Sequence, residues 1–291
     1  LGVRKSLSWI ACLAFLIQPG AFYQVIGYSE SLFSAMLLGY VFWIHHAFDW
    51  RAEDHRGAKI HFGSLALAIA HGGVLSSTRI LGVALCGYPV LLVLSRCLRE
   101  RQLIVRQLLW AIGTAVLSLW GFVSYLLYCQ IKWGSWTLYW DANRVGWRVY
   151  FDPWRLLRWS YYRDEYFVGN LSEVLGRQFT LITGVISVAL TRWSYRLLKE
   201  DPIPFALALL NLGFLFETVV GSHGMHSMIR YLIPINCIFM PLWALRWEYR
   251  IRTERNEFRL SRWIAVAACG LLLFALQVMF SIRFSRSDWV S

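Results

Sequence analysis

The sequence predicts an all-α, polytopic membrane protein with about nine transmembrane helices, and three observations lead there. Of the 291 residues, 57% are hydrophobic, and they fall in blocks of about twenty separated by short charged stretches. Each block can cross roughly 30 Å of hydrocarbon at about 1.5 Å per residue. The net charge of +12 comes from lysines and arginines placed in the gaps between those blocks. Cations so placed orient helices in a membrane, so no nucleic-acid partner is expected and membrane lipids are. Third, many of the sixteen tryptophans sit at block ends and in one long loop. Tryptophan favours that headgroup zone because one edge of the ring stays wet.

Helices are expected near 7–26, 28–47, 61–78, 80–96, 103–129, 172–191, 203–220, 229–247 and 261–282. Pro19-Gly20 ends or kinks the first, because proline removes a backbone donor. The third carries His71-Gly72-Gly73, which predicts a break. The whole of 1–291 is one transmembrane domain with an aromatic-rich outer loop at about 130–171. In that loop Asp152-Pro153-Trp154 has the form of a helix start, with Asp152 as cap and Pro153 at the first position. The residues that follow, 155–162, make an amphipathic helix suited to the interface. Cys12, Cys86, Cys97, Cys129, Cys237 and Cys269 show neither paired nor zinc spacing and read as small core residues.

Sidedness follows from charge. With the N-terminus cytoplasmic, five segments share that side. They hold Arg4 and Lys5; Arg51, Arg56 and Lys59; Arg96, Arg99, Arg101 and Arg106; Arg192, Arg196 and Lys199; and Arg246, Arg250, Arg252, Arg255 and Arg259. That is 17 of the 29 cations, while the short opposite loops hold Arg79 and Arg230. The asymmetry obeys the positive-inside rule.

Four clusters able to carry chemistry then fall on the outer face. Tyr28-Ser29-Glu30 opens the second helix, with Ser29 placed as a cap and Glu30 on the positive helix end. The same free donors also suit an anion or a hydroxyl ligand. Ser76-Ser77-Thr78-Arg79 closes the third helix. Arg79 reads either as a snorkelling cation or as a two-pronged grip on phosphate, with Ser77 and Thr78 as helpers. Glu217 lies one turn inside the seventh helix, where a carboxylate needs an ion pair, with Arg230 or Arg177, or a wet cavity. The segment around His223, His226, Arg230 and Tyr231 completes the set. The two histidines have no adjoining third ligand, so no metal is expected.

Two stretches resemble a known family. Residues 28–43, YSESLFSAMLLGYVFW, followed by a helix ending SSTRILG, resemble the PIG-V-type mannosyltransferases of GPI-anchor synthesis and their bacterial relatives. SMIRYLIPINCIFMPLW, at 227–243, is similar to that family's late Arg-Tyr helix with its proline, and the likeness extends over most of 8–247. Where many relatives have Pro or Ser-Asn after the arginine, this chain has Ile80-Leu81.

The resemblance implies a GT-C fold and sugar transfer from a polyprenyl-phosphate donor, outside the cytoplasm, with that donor as substrate and no cofactor. It implies that Tyr28, Ser29, Glu30, Ser77, Thr78, Arg79, Glu217, His223, His226, Arg230 and Tyr231 line the substrate site. The family's catalytic carboxylate lies in an early outer loop, which would precede Leu1; within the chain Asp141 is the one substitute considered. A bacterial plasma membrane is expected over the endoplasmic reticulum, although topology is alike in both. Two other functions suit the composition: a transporter using Glu217, Arg79 and Arg230 as a polar path, and a scaffold lacking the catalytic loop.

Overall fold

A computed structural model describes residues 5–17, 29–48, 60–147, 153–154, 171–221, 238–249 and 260–285. Among them every extended element is helical; the only β feature described is one bridge, Phe48 to Ile60. We number the helices α1 (Lys5–Ile17), α2 (Glu30–Ala47), α3 (Phe62–Thr78), α4 (Leu81–Leu85), α5 (Tyr88–Glu100), α6 (Val105–Leu117), α7 (Trp120–Trp133) and α8 (Leu138–Ala142). A π-turn, Asn143–Trp147, follows, then α9 (Leu171–Leu197), α10 (Ile203–Gly221), α11 (238–249) and α12 (Leu260–Ser285).

Three helical stretches are long and apolar enough to cross a membrane: Leu81–Glu100, Val105–Trp133 and Ile203–Val220. Leu7–Ile17, Phe62–Thr78 and Ala267–Met279 are apolar but shorter. Large apolar side chains stand exposed along these helices, Leu109 at 64% and Ile131 at 76% among them. A contiguous surface of that kind is costly in water and costs nothing in lipid.

The chain divides into two compact units. One comprises 1–30, 156–190 and 224–291. Its described part holds α1 packed on α12, where Gly270 lies against Ile17. Two of the cysteines expected in the core, Cys12 and Cys269, are exposed here on α1 and α12. A thiol is apolar enough to face lipid, so burial is not required of it.

The other unit comprises 31–155 and 191–223. Its helices α2 and α3 run antiparallel. The His61 N–H donates to the Ala47 carbonyl at 2.9 Å, Phe48 bridges Ile60, and further along Gly39 meets His71 and Gly72 meets Tyr40. After α3 the backbone is extended at Arg79, then α4 folds back so that Gly82 touches the Leu75 carbonyl. The helix at 80–96 foreseen from sequence is thus two helices, α4 and α5, joined at Cys86-Gly87. The Cys86 carbonyl that this joint frees accepts the Tyr40 hydroxyl at 2.8 Å. Pro89 sits in the first turn of α5, where a missing donor costs nothing.

The helix foreseen at 103–129 likewise splits into α6 and α7. At the break, Ser76 of α3 inserts its hydroxyl between two backbone groups. It lies 3.0 Å from both the Ser118 carbonyl and the Gly73 carbonyl of its own helix, which share its one proton, and accepts from the Phe122 N–H at 3.3 Å. A continuous helix would join those two groups directly. Within a membrane no water can take their place, so the serine satisfies both.

His71-Gly72-Gly73 does not break α3, contrary to expectation; the helix is continuous through them. The glycines are seats for neighbours. A Cβ on Gly73 would fall 1.8 Å from Trp120 Nε1, and one on Gly121 would fall 1.9 Å from the Gly73 carbonyl oxygen. Small residues let helix backbones approach where lipid supplies no hydrophobic drive. Trp120 lies over Gly73 and donates Nε1–H to the Ile69 carbonyl at 3.2 Å. Gly134, in the left-handed region at φ 70°, ends α7 as glycine commonly ends helices.

Candidate functional site

The end of the second unit that carries Arg79 is built from three helices. α2 and α3 are antiparallel, so the first turn of α2 from Ser31 and the last turn of α3 share an end. α10 reaches the same end with its C-terminal third. At its start, Asp201 accepts the Ile203 N–H at 2.9 Å and Arg99 of α5 donates to the Lys199 carbonyl at 3.1 Å, which fixes the opposite end. Near its finish, Phe214 stacks on Phe33 of α2 with ring centroids 6.2 Å apart. Ser77, Thr78, Arg79 and Glu217 therefore stand at one end of this unit, opposite the arginine-rich α5–α6 turn.

Each residue has a definite local state. Arg79 is half-buried at the C-terminus of α3, where a cation meets the negative end of the helix dipole. The Ser77 hydroxyl donates to the Val74 carbonyl at 2.9 Å and the Thr78 hydroxyl to the Leu75 carbonyl at 2.8 Å. Both protons are committed to the helix, leaving lone pairs rather than donors for a ligand. Glu30 opens α2 and is fully buried; its carboxylate sits in the first turn, on the positive helix end. Ser29 precedes it, half-buried.

Glu217 differs from these. It lies in the last turn of α10, where the helix dipole disfavours a negative charge. Its Oε2 is buried and makes no hydrogen bond among the described residues. The two partners expected for it, Arg230 and the Arg177 side chain, lie outside the described residues. Ser34, 4% exposed and one turn into α2, also has a buried hydroxyl without a hydrogen-bond partner among the described residues.

Tyr28, His223, His226, Arg230 and Tyr231 lie outside the described residues, as do Asp152, all of 155–162 and Cys237. Pro153 and Trp154 form a short turn with Trp154 exposed. Asp141, weighed as a substitute base, sits exposed in α8 and accepts the Thr137 hydroxyl at 2.7 Å. That local side-chain bond ties it to Thr137, the residue before a five-residue helix.

Sequence reasoning passed over polar groups inside the second unit, Tyr40, His45, Tyr88 and Ser118, and named Ser76 only as part of the Arg79 cluster. His45 bonds Tyr88, and Ser118 donates back to Thr114 at 2.8 Å. Each is spent on a backbone carbonyl or a neighbouring side chain, so they brace helix joints and line no path. Their one signal in sequence is the spacing of hydroxyls and tyrosine among apolar runs.

Comparison of the chain with protein-family models, curated proteins and solved structures found no match.

Proposed function

We propose that the chain is a membrane glycosyltransferase of GT-C type, with about nine membrane spans. It moves a hexose, mannose by the resemblance, from a polyprenyl-phosphate donor to an acceptor on the extracytoplasmic face of a bacterial plasma membrane. The observation that carries this reading is the shared end of α2, α3 and α10. Ser31, Leu32 and Phe33, from the second half of the segment matching Tyr-Ser-Glu-Ser-Leu-Phe, head α2 there, Ser77, Thr78 and Arg79 of the Ser-Thr-Arg segment close α3, and Glu217 joins them.

In such a transfer the acceptor oxygen attacks the anomeric carbon, the bond from that carbon to the phosphate oxygen breaks, and polyprenyl phosphate departs. The acceptor proton goes to a base, a carboxylate by the resemblance. Arg79 holds the departing phosphate, as a planar guanidinium can with two parallel bonds. Glu30 orients a hydroxyl, with Ser77 and Thr78 accepting from the sugar through their remaining lone pairs. Tyr28, Ser29, His223, His226, Arg230 and Tyr231 complete the substrate contacts in this proposal.

Sugar transfer measured in membranes expressing the complete reading frame tests it. Arg79→Lys keeps the charge and loses the fork, and should slow transfer by about 30- to 1,000-fold, or about 2–4 kcal/mol. Unchanged rates in Arg79→Lys and Glu30→Gln protein that remains monodisperse would sink the reading.

A further inference from the structure

At the opposite end of the second unit, α5 and the turn into α6 enclose an open groove of about 410 Å³, lined by Leu94, Cys97, Leu98, Arg101, Gln102 and Leu103. Its leucines are exposed and its wall is almost wholly apolar. We propose that this groove binds one anionic phospholipid, with an acyl chain along Leu94, Leu98 and Leu103 and the headgroup phosphate on Arg101.

Three features support that occupant. The first is position. The groove lies at the end of Leu81–Glu100, a stretch long and apolar enough to span a membrane, on the face that the arginine distribution marks as cytoplasmic. An apolar wall beside cations at that depth matches a lipid, tail inward and headgroup at the rim.

The second is charge. Arg99 ends α5, Arg101 lines the groove and Arg106 lies in the first turn of α6. Of the acids at this end, Glu100 is held by Arg96 at 2.7 Å, and Arg96 also donates to Gln107, while Glu200 and Asp201 follow Lys199, and Asp201 accepts the Ile203 N–H. Among the described residues, Arg101 and Arg106 are in no ion pair. A second copy of this chain, itself +12, would bring like charge to the same rim, so a negative ligand is favoured over self-association.

The third is the backbone. Arg101 ends α5 at φ 52° and ψ 28°, the left-handed region. It is the only non-glycine residue with positive φ among those described. Glycine is the usual occupant of such a helix end, because a Cβ is strained there. An arginine at that point is unfavourable for the fold alone and is accounted for by what its guanidinium binds. Cys97 accepts the Ile104 N–H at 3.4 Å, which holds the turn closed against the groove.

The proposal is independent of the glycosyltransferase reading. Its test uses the full chain in phosphatidylcholine nanodiscs with or without phosphatidylglycerol. Lipid adducts are read by native mass spectrometry after release, and thermal unfolding is read in the discs. Wild type should retain phosphatidylglycerol over phosphatidylcholine, with the preference falling as salt rises. Arg101→Gly removes the cation and relaxes the backbone. It should weaken retention of phosphatidylglycerol roughly fivefold, while unfolding in pure phosphatidylcholine stays unchanged or moves to higher temperature. Leu98→Trp fills the groove without touching charge and should reduce retention as well. Equal retention of the two lipids by wild type would overturn the proposal, and that measurement needs no variant. So would Arg101→Gly protein that keeps phosphatidylglycerol as wild type does, or an adduct consisting of a second copy of the chain.

Discussion

Glu217 presents the plainest conflict among the individual side chains. A carboxylate oxygen is buried without a hydrogen-bond partner in the described residues, at the helix end that repels negative charge. If the fold alone is considered, an uncharged replacement is no worse. Glu217→Gln is therefore expected to leave the unfolding temperature in detergent unchanged or raised, while sugar transfer falls at least tenfold, about 1.4 kcal/mol. A fall in both would mean that the carboxylate braces the fold. The contrast with Arg79 is physical: that cation is favourable where it stands, so its stability and activity should separate less sharply. Charged residues in apolar runs were legible in the sequence because their cost is visible without a structure; Glu30, Arg79 and Glu217 all stood out that way. Ser76 did not, since its role depends on a break in a helix some forty residues away.

Helix α3 is fixed to α7 by glycines on both sides and by one serine. Gly73→Ala places a methyl into the Trp120 ring, and Gly121→Ala places one into the Gly73 carbonyl. Either should destabilise by about 1–3 kcal/mol or more, read as a lowered unfolding temperature. Gly63→Ala and Gly113→Ala meet nothing within 4 Å and should be neutral or stabilising, by at most about 1 kcal/mol. Ser76→Ala should cost about 0.6–1.7 kcal/mol, the range for a hydrogen bond between membrane helices. Most element positions were readable from apolar run length: the stretches at 61–78 and 203–220 appear as Phe62–Thr78 and Ile203–Gly221. One break was not readable: Leu117 to Trp120 contains no proline, and nothing nearby in sequence announces a hydroxyl arriving from another helix. The other was marked by Gly87 and Pro89, a helix start that the apolar run over 80–96 hid. The reverse error at Gly72-Gly73 has the same origin, because a glycine pair that weakens an isolated helix strengthens a crossing.

Sidedness can be tested on described residues of the second unit alone. Ser135 follows α7 and Gln102 follows α5, at the two ends of Val105–Trp133 with its flanking turns. In a background without the native cysteines, a cysteine at Ser135 should react with an impermeant maleimide on intact cells. One at Gln102 should react only after the membrane is opened. The reverse pattern would overturn the orientation and move Arg79 to the cytoplasmic face. Charge distribution made this orientation legible, since it needs only the order of blocks and cations. Contacts group the chain into two compact units, a grouping that the length of apolar runs does not announce. The units interleave along the chain, with 31–155 and 191–223 set between segments of the other, and apolar blocks look alike whichever unit they join.

The seating of Gly73 against Trp120 and Gly121 bears on how tolerance to substitution should be interpreted in this chain. Ser77, a candidate ligand contact, lies one position beyond Ser76, and its Cβ would be 2.9 Å from a Cβ on Gly121. Intolerance from packing and intolerance from chemistry thus adjoin on successive residues of one helical turn. A saturation library selected for activity should show a single depleted stretch from Gly72 to Arg79, with no gap to mark where one cause gives way to the other. The same library scored for membrane abundance should deplete Gly72, Gly73 and Ser76 and spare Arg79, and only that second score divides the stretch.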